Sequence, residues 1–189
     1  MFNNAKSIKL YAGDFHMGEG ASSLHEDFKC RPPGVPMRDI SKDFVLDRYF
    51  ADFIDWIVVN LSHCPNVQLY LNGDIFDFSQ VRFPGQTTDF PYEKEANAKF
   101  EIIKLAHPVF FQALKKLCSQ KNITAVKFFK GNHDWELNWK SIQDIIIECI
   151  SPEHPEKVLF LYEELDKGTY CRHGEEEPGI KNDPKKPII

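Results

Sequence analysis

Four short motifs in this chain combine carboxylate, imidazole and amide side chains, and each of them follows a short apolar segment. In chain order they are Asp14-Phe15-His16, Gly73-Asp74-Ile75-Phe76-Asp77, Gly131-Asn132-His133-Asp134 and His173-Gly174. Such a mixed set of oxygen and nitrogen donors suits Mn, Fe or Zn rather than a soft thiolate site. We therefore treat the four motifs as candidate parts of one metal site.

The spacing inside the motifs supports this interpretation. Asp14 and His16 would point the same way from an extended segment, because alternate residues share a face. A carboxylate such as Asp74, arriving from the next strand, could bridge two cations about 3.5–4 Å apart. Asn132 can offer a neutral carbonyl oxygen, which leaves His133 free to act beside it. Turn propensity explains the Gly and Asn of the third motif, but it does not explain the His and Asp that follow.

The elements that must position these motifs are predicted to be strands alternating with helices. The predicted strands cover residues 7–12, 67–71, 123–129, 158–162 and 168–171. Apolar residues at three- and four-residue spacing predict helices over 44–61, 93–118 and 138–150, and Pro108 should kink or divide the second of them. This alternation indicates an α/β layered domain, in which ligand sites collect where strands end.

Two Gly- and Pro-containing stretches, 18–40 and 80–92, are predicted to be surface loops that shape a substrate pocket. Phe83, Phe90 and Tyr92 in the second stretch could stack on a base or cover an acyl group, and a protein contact explains them equally well. The chain contains neither GxxxxGK[ST] nor GxGxxG, so we set aside a P-loop or dinucleotide-binding module.

Composition and charge indicate one globular domain over residues 1–189. Hydrophobic residues make up 42% of the chain and aromatic residues 13%, so it can bury a substantial core. The net charge of -5 argues against a nucleic-acid-binding surface. The five cysteines form no CxxC pair, and no apolar run is long enough to span a bilayer. We therefore expect a cytoplasmic protein without a membrane span.

In their order and content the four motifs resemble those of the calcineurin-like metallophosphoesterases, over residues 14–174. The resemblance implies an α/β sandwich of two mixed β-sheets flanked by helices, with a dinuclear metal centre between the strand ends. Asp134 and the following Trp135-Glu136-Leu137 are similar to the branch of small phosphodiesterases and nucleotide-sugar pyrophosphatases. Phe78-Ser79 stands where the protein serine/threonine phosphatases have Arg-Gly, so we expect that branch less.

Carried over residue by residue, the resemblance implies two divalent metal ions, with Mn favoured and Fe or Zn as alternatives. Asp14 and His16 would hold the first metal, and Asp74 would bridge both. Asn132 and His173 would hold the second metal.

The resemblance also implies the reaction. The expected activity is hydrolysis of a phosphomonoester or phosphodiester in a small phosphorylated substrate. A hydroxide bridging the two metals would attack phosphorus. His133 would act as the catalytic histidine near the scissile phosphate, and Asp134 would orient it.

One departure from the family pattern leaves two interpretations open. The family closes its site with a Gly-His-x-His element, and no His follows His173 in this chain. We expect either the N-terminal, larger part of a longer phosphoesterase or a catalytically degenerate relative that acts as a binding or scaffold module. For the 189-residue chain alone we expect weak binding of at least one metal, little turnover and a tendency to self-associate through uncovered sheet surface, whereas a scaffold relative could be free of metal.

Overall fold

Four parallel strands form the main sheet of the structure, a computed structural model that describes residues 5–19, 47–81 and 92–174. The order in the sheet is the order in the chain, and the strands are β1 (Ile8–Ala12), β2 (Val67–Asn72), β3 (Ile123–Phe129) and β4 (Val158–Leu161). Each lies within a residue of the strand predicted from the sequence. The predicted loops 18–40 and 80–92 fall almost entirely outside the residues that the structure describes.

Helices connect the strands, as the periodicity of the apolar residues predicts. They are α1 (Asp47–Asn60), α2 (Glu93–Ala106), α3 (Pro108–Cys118) and α4 (Lys140–Ile150). Pro108 divides the segment 93–118 into two helices, because it begins α3 at a position where its missing N–H costs no helical hydrogen bond. Within the described part of the chain, no helix has the length and apolar character needed to cross a membrane.

All four helices pack on the same face of the sheet. Right-handed connections between parallel strands that are neighbours in both chain and sheet place every helix on one side. The core between sheet and helices is rich in aromatic rings, and Phe76 lies near its centre. The centroid of the Phe76 ring lies 5.3 Å from that of Phe100, 6.2 Å from that of Phe111 and 6.3 Å from that of Phe128.

A separate antiparallel hairpin, β5 (Glu163–Asp166) and β6 (Thr169–Arg172), covers part of the opposite face. Its Cys171 packs with Tyr70 and Phe129 of the main sheet. The predicted α/β class is therefore confirmed. The prediction of mixed sheets differs from the described strands: the four-stranded sheet is wholly parallel, because a helix lies in each of its connections, and the antiparallel pair stands alone.

Candidate metal centre

The motifs meet where the first three strands end, because the carboxyl ends of parallel strands share one edge of the sheet. The segments that follow β1 and β2 continue side by side. The N–H of Asp14 donates to the carbonyl oxygen of Gly73 at 3.0 Å, and the N–H of His16 donates to that of Asp74 at 2.9 Å. These backbone bonds fix the first motif against the second before any side-chain contact is counted.

Three candidate ligands have left-handed backbone conformations. The φ angles are 62° at Asp14, 51° at His16 and 49° at Asp74. Asp14 and His16 therefore do come together, but not for the reason predicted, since the segment that carries them is not extended. Non-glycine residues in this region cost of order 1–3 kcal/mol each and concentrate at functional sites. The conformation thus supports a site at this edge independently of residue type.

Asp74 lies at the centre of the cluster and is almost fully buried. Its Oδ1 accepts the backbone N–H of His133 at 3.0 Å. Its Oδ2 lies 3.3 Å from Nε2 of His173 and 3.6 Å from Nε2 of His16. Oδ1 therefore accepts a backbone hydrogen bond, while Oδ2 faces two imidazoles from different parts of the chain.

The tautomer of His173 shows that its contact with Asp74 requires a proton or a cation between the two atoms. Its Nδ1 lies 3.0 Å from the carbonyl oxygen of Asn72, which can only accept, so Nδ1 carries the proton. In the neutral imidazole Nε2 then has a free lone pair, and this lone pair faces the anionic Oδ2 of Asp74. Two acceptors 3.3 Å apart require a proton or a cation between them. A backbone carbonyl that fixes the far nitrogen is also the usual support of a metal-binding histidine.

His16 shows the same arrangement. Its Nδ1 lies 3.3 Å from Oδ2 of Asp77, and its Nε2 lies 3.0 Å from Oδ1 of Asp14. If Nδ1 donates to Asp77, the lone pair of Nε2 faces the carboxylates of Asp14 and Asp74. The donor chemistry of His16 and Asp74 therefore fits a divalent cation.

His133 also belongs to this cluster. Its ring centroid lies 4.6 Å from that of His16, at 82°. Potential ligand atoms of His16, Asp74 and His133 all lie within 4.8 Å of one another, and these three residues could hold a metal ion. The sequence predicts a catalytic role for His133, and its position beside the carboxylates is also compatible with a ligand role.

Asp134 lies in a different place from the one predicted. Its Oδ1 accepts the N–H of Gly131 at 2.6 Å, and its Oδ2 accepts the N–H groups of Ile75 and Phe76 at 2.8 and 3.4 Å. Burial raises the pKa of this carboxyl to about 7, although the same hydrogen bonds act to lower it. Asp134 therefore joins the third motif to the second through their backbones and does not orient the His133 ring.

Asp77 holds the orienting position instead. Its Oδ2 lies 3.2 Å from Nδ1 of His133 as well as near Nδ1 of His16, and the residue is fully buried. Burial acts to raise the pKa of Asp77, but hydrogen bonds from Ser79 and Gln80 and the neighbouring His133 outweigh it and hold the pKa below its ordinary value. The sequence prediction gave this residue no role. The available signal was its place three residues after Asp74 in the same motif.

The glycines of the second and third motifs allow the ligands to approach. Gly73 has a φ of 78°, and a Cβ there would overlap the imidazole of His173. A Cβ on Gly131 would overlap Oδ1 of Asp74. The two glycines are therefore needed for space at the site as well as for the turns.

The cluster opens on one side into a cleft. Asp14, Asn132 and His173 line it, together with Tyr11 and Asn72. Asn132 is exposed at this opening and lines it together with Asp14 and His173.

Comparisons with known proteins add no assignment: no protein-family model matches the chain, and no curated protein matches it.

Proposed function

We propose that this protein is a metal-dependent phosphoesterase of the calcineurin-like type, which hydrolyses a phosphomonoester or phosphodiester. The observation that carries the proposal is the arrangement around Asp74. The Nε2 atoms of His16 and His173 lie 3.6 and 3.3 Å from its Oδ2, while its Oδ1 is used by a backbone N–H. A carboxylate with one oxygen directed between two histidines has the form of a bridging ligand.

The proposed ligands divide into two sets that share Asp74. Asp14 and His16 would hold one divalent cation, and Asn132 and His173 would hold the other. The oxygen-rich set favours Mn, with Fe and Zn as alternatives. When bound, the cations supply Lewis acidity: they neutralise phosphate charge and lower the pKa of an attacking water.

His133 is the proposed general acid. With Nδ1 directed to Asp77, its Nε2 is the nitrogen that would give a proton to the leaving oxygen. The buried carboxylate of Asp77 holds the orientation of the ring through Nδ1. A positioned acid of this kind contributes about 10²–10⁴-fold to the rate.

The open cleft fits a phosphate ester better than a larger buried ligand. The exposed amide of Asn132 and the half-buried His173 stand at its opening. The phosphoryl group would enter from there, beside Asn132 and His173.

The test uses purified protein with Mn²⁺ and bis-p-nitrophenyl phosphate. We expect release of p-nitrophenol, at a low rate, that EDTA abolishes and Mn²⁺ restores. His133→Ala should lower the rate about 10²-fold or more while the protein keeps its bound metal. His154→Ala, a change at an exposed histidine outside the cluster, is the matched control and should leave the rate unchanged. Hydrolysis that survives both EDTA and His133→Ala would contradict the proposal.

The same experiment addresses the alternative function, a binding or scaffold module on a phosphoesterase-like fold. Elemental analysis of the purified protein separates the two. A protein that folds, holds no metal and hydrolyses neither phosphomonoesters nor phosphodiesters supports the scaffold function. A protein that holds close to two metals per chain and turns over substrate supports the enzyme.

A further inference from the structure

His173 reaches the centre from outside the main sheet. It follows β6, and in the described part of the chain β5 and β6 pair only with each other. No ladder of backbone hydrogen bonds therefore fixes the hairpin against β1 to β4. Beyond the covalent link from β4 to β5, the distance between His173 and Asp74 depends on side-chain contacts between the hairpin and the sheet beneath it.

One of these contacts is a largely buried ion pair between Lys127 on β3 and Glu164 on β5. Lys127 is 5% exposed, and its Nζ lies 2.6 and 2.8 Å from the two carboxylate oxygens of Glu164. The same Nζ donates to the hydroxyl of Tyr70 at 3.0 Å and lies 4.6 Å from the centroid of its ring. A buried ammonium held by both oxygens of one carboxylate fixes that carboxylate closely.

The strand pairing inside the hairpin links the position of Glu164 to that of His173. Glu164 lies opposite Cys171 in the antiparallel ladder. Cys171 is buried against Tyr70, and its Sγ lies 3.2 Å from Oδ1 of Asn72. Asn72 also accepts the hydrogen bond from Nδ1 of His173, two residues after Cys171. A shift of Glu164 relative to the sheet therefore moves His173 relative to Asp74.

We propose that Glu164 is a positioning residue for the metal site that contains His173. Held by Lys127, it sets the place of the hairpin on the sheet and through it the approach of His173 to Asp74. This inference rests on the proposed function, because it needs a metal bound by His173. The second ion pair of the hairpin, Lys9 with Asp166 at 3.0 Å, is more exposed to solvent and contributes less to its position.

The test measures Mn²⁺ binding by isothermal titration calorimetry on the full chain and on single variants. Glu164→Gln removes the charge that holds Lys127, and we expect it to weaken one of the two Mn²⁺ sites about tenfold or more. The other site, with Asp14 and His16, should keep its affinity. Glu163→Gln is the matched control, since this neighbouring glutamate is exposed and its Oε2 accepts the hydroxyl of Tyr170 instead.

Two further variants make the outcomes distinct. His173→Ala identifies the site that the inference concerns, and it should abolish binding at the site that Glu164→Gln weakens. Glu164→Asp keeps a charge near Lys127, so it should fold even if Glu164→Gln does not, and it should weaken the same site by a smaller factor.

If the Glu164 variants bind Mn²⁺ at both sites as tightly as the wild type does, the inference is overturned and the proposed function still stands. Equal weakening of both sites would also overturn it, since that result indicates a general loss of structure. If His173→Ala changes no Mn²⁺ binding, the proposed ligand set itself is wrong and the inference falls with it.

Discussion

Replacing Asp77 with Asn should affect both metal binding and catalysis, because one oxygen of its carboxylate serves both histidines. Oδ2 lies 3.3 Å from Nδ1 of His16 and 3.2 Å from Nδ1 of His133. A hydrogen bond to a charged group contributes about 1.5–3 kcal/mol and a neutral one about 1 kcal/mol. Asn keeps the shape and loses the charge, so each contact should lose roughly 1–1.5 kcal/mol. That is about a tenfold effect at each histidine.

The two effects should appear in different measurements. Loss of support for His16 should weaken Mn²⁺ binding about tenfold, measured by calorimetry. Loss of support for His133 should lower kcat about tenfold at saturating Mn²⁺, measured with bis-p-nitrophenyl phosphate. Asp55→Asn is the control and should change neither quantity: this exposed aspartate of α1 pairs with Lys116 at 2.8 Å, outside the cluster. A folded Asp77→Asn protein with unchanged Mn²⁺ affinity and kcat would refute this reasoning.

Three further predictions concern stability. Asp134→Ala should lower the free energy of unfolding in urea by about 2–5 kcal/mol, because it leaves buried backbone N–H groups without an acceptor; a loss of activity without a loss of stability would contradict this. Phe76→Ala should cost about 3–5 kcal/mol in the same assay, since it removes a ring at the centre of the core; a cost below 1 kcal/mol would contradict it. Burial acts to raise the pKa of Glu164, but hydrogen bonds from Lys127 and Tyr70 outweigh it and hold that pKa below 4.5. The unfolding free energy that Glu164→Gln removes should therefore be fully present above pH 4.5 and shrink as the pH falls, and a difference that grows towards acid pH would refute this.

The sequence was sufficient to predict the helices, the four strands of the main sheet and the edge where the motifs meet, but it did not predict β5. Apolar periodicity depends on a helix or strand burying one face, and that face is visible in the residues themselves. The division at Pro108 followed from the missing N–H and fixed φ of proline. The convergence of Asp14, Asp74 and His133 followed from parallel strands that end at one edge.

The roles of two carboxylates could not be predicted in the same way. Asp134 and Asp77 are both next to functional motifs, and adjacency in sequence favoured Asp134 as the partner of His133. Asp134 accepts backbone N–H groups because the left-handed conformation at Asp74 turns those groups of the second motif towards it. The sequence does not reveal that conformation, because Asp adopts it only rarely.

Anomalous diffraction from crystals soaked in Mn²⁺ would locate the two proposed metals on either side of Asp74. We expect two peaks about 3.5–4 Å apart that flank Oδ2 of Asp74. One should lie beside Asp14 and His16, and the other beside Asn132 and His173. A single peak enclosed by His16, Asp74 and His133, or no peak near Asp74 in crystals that hold Mn²⁺ elsewhere, would contradict it.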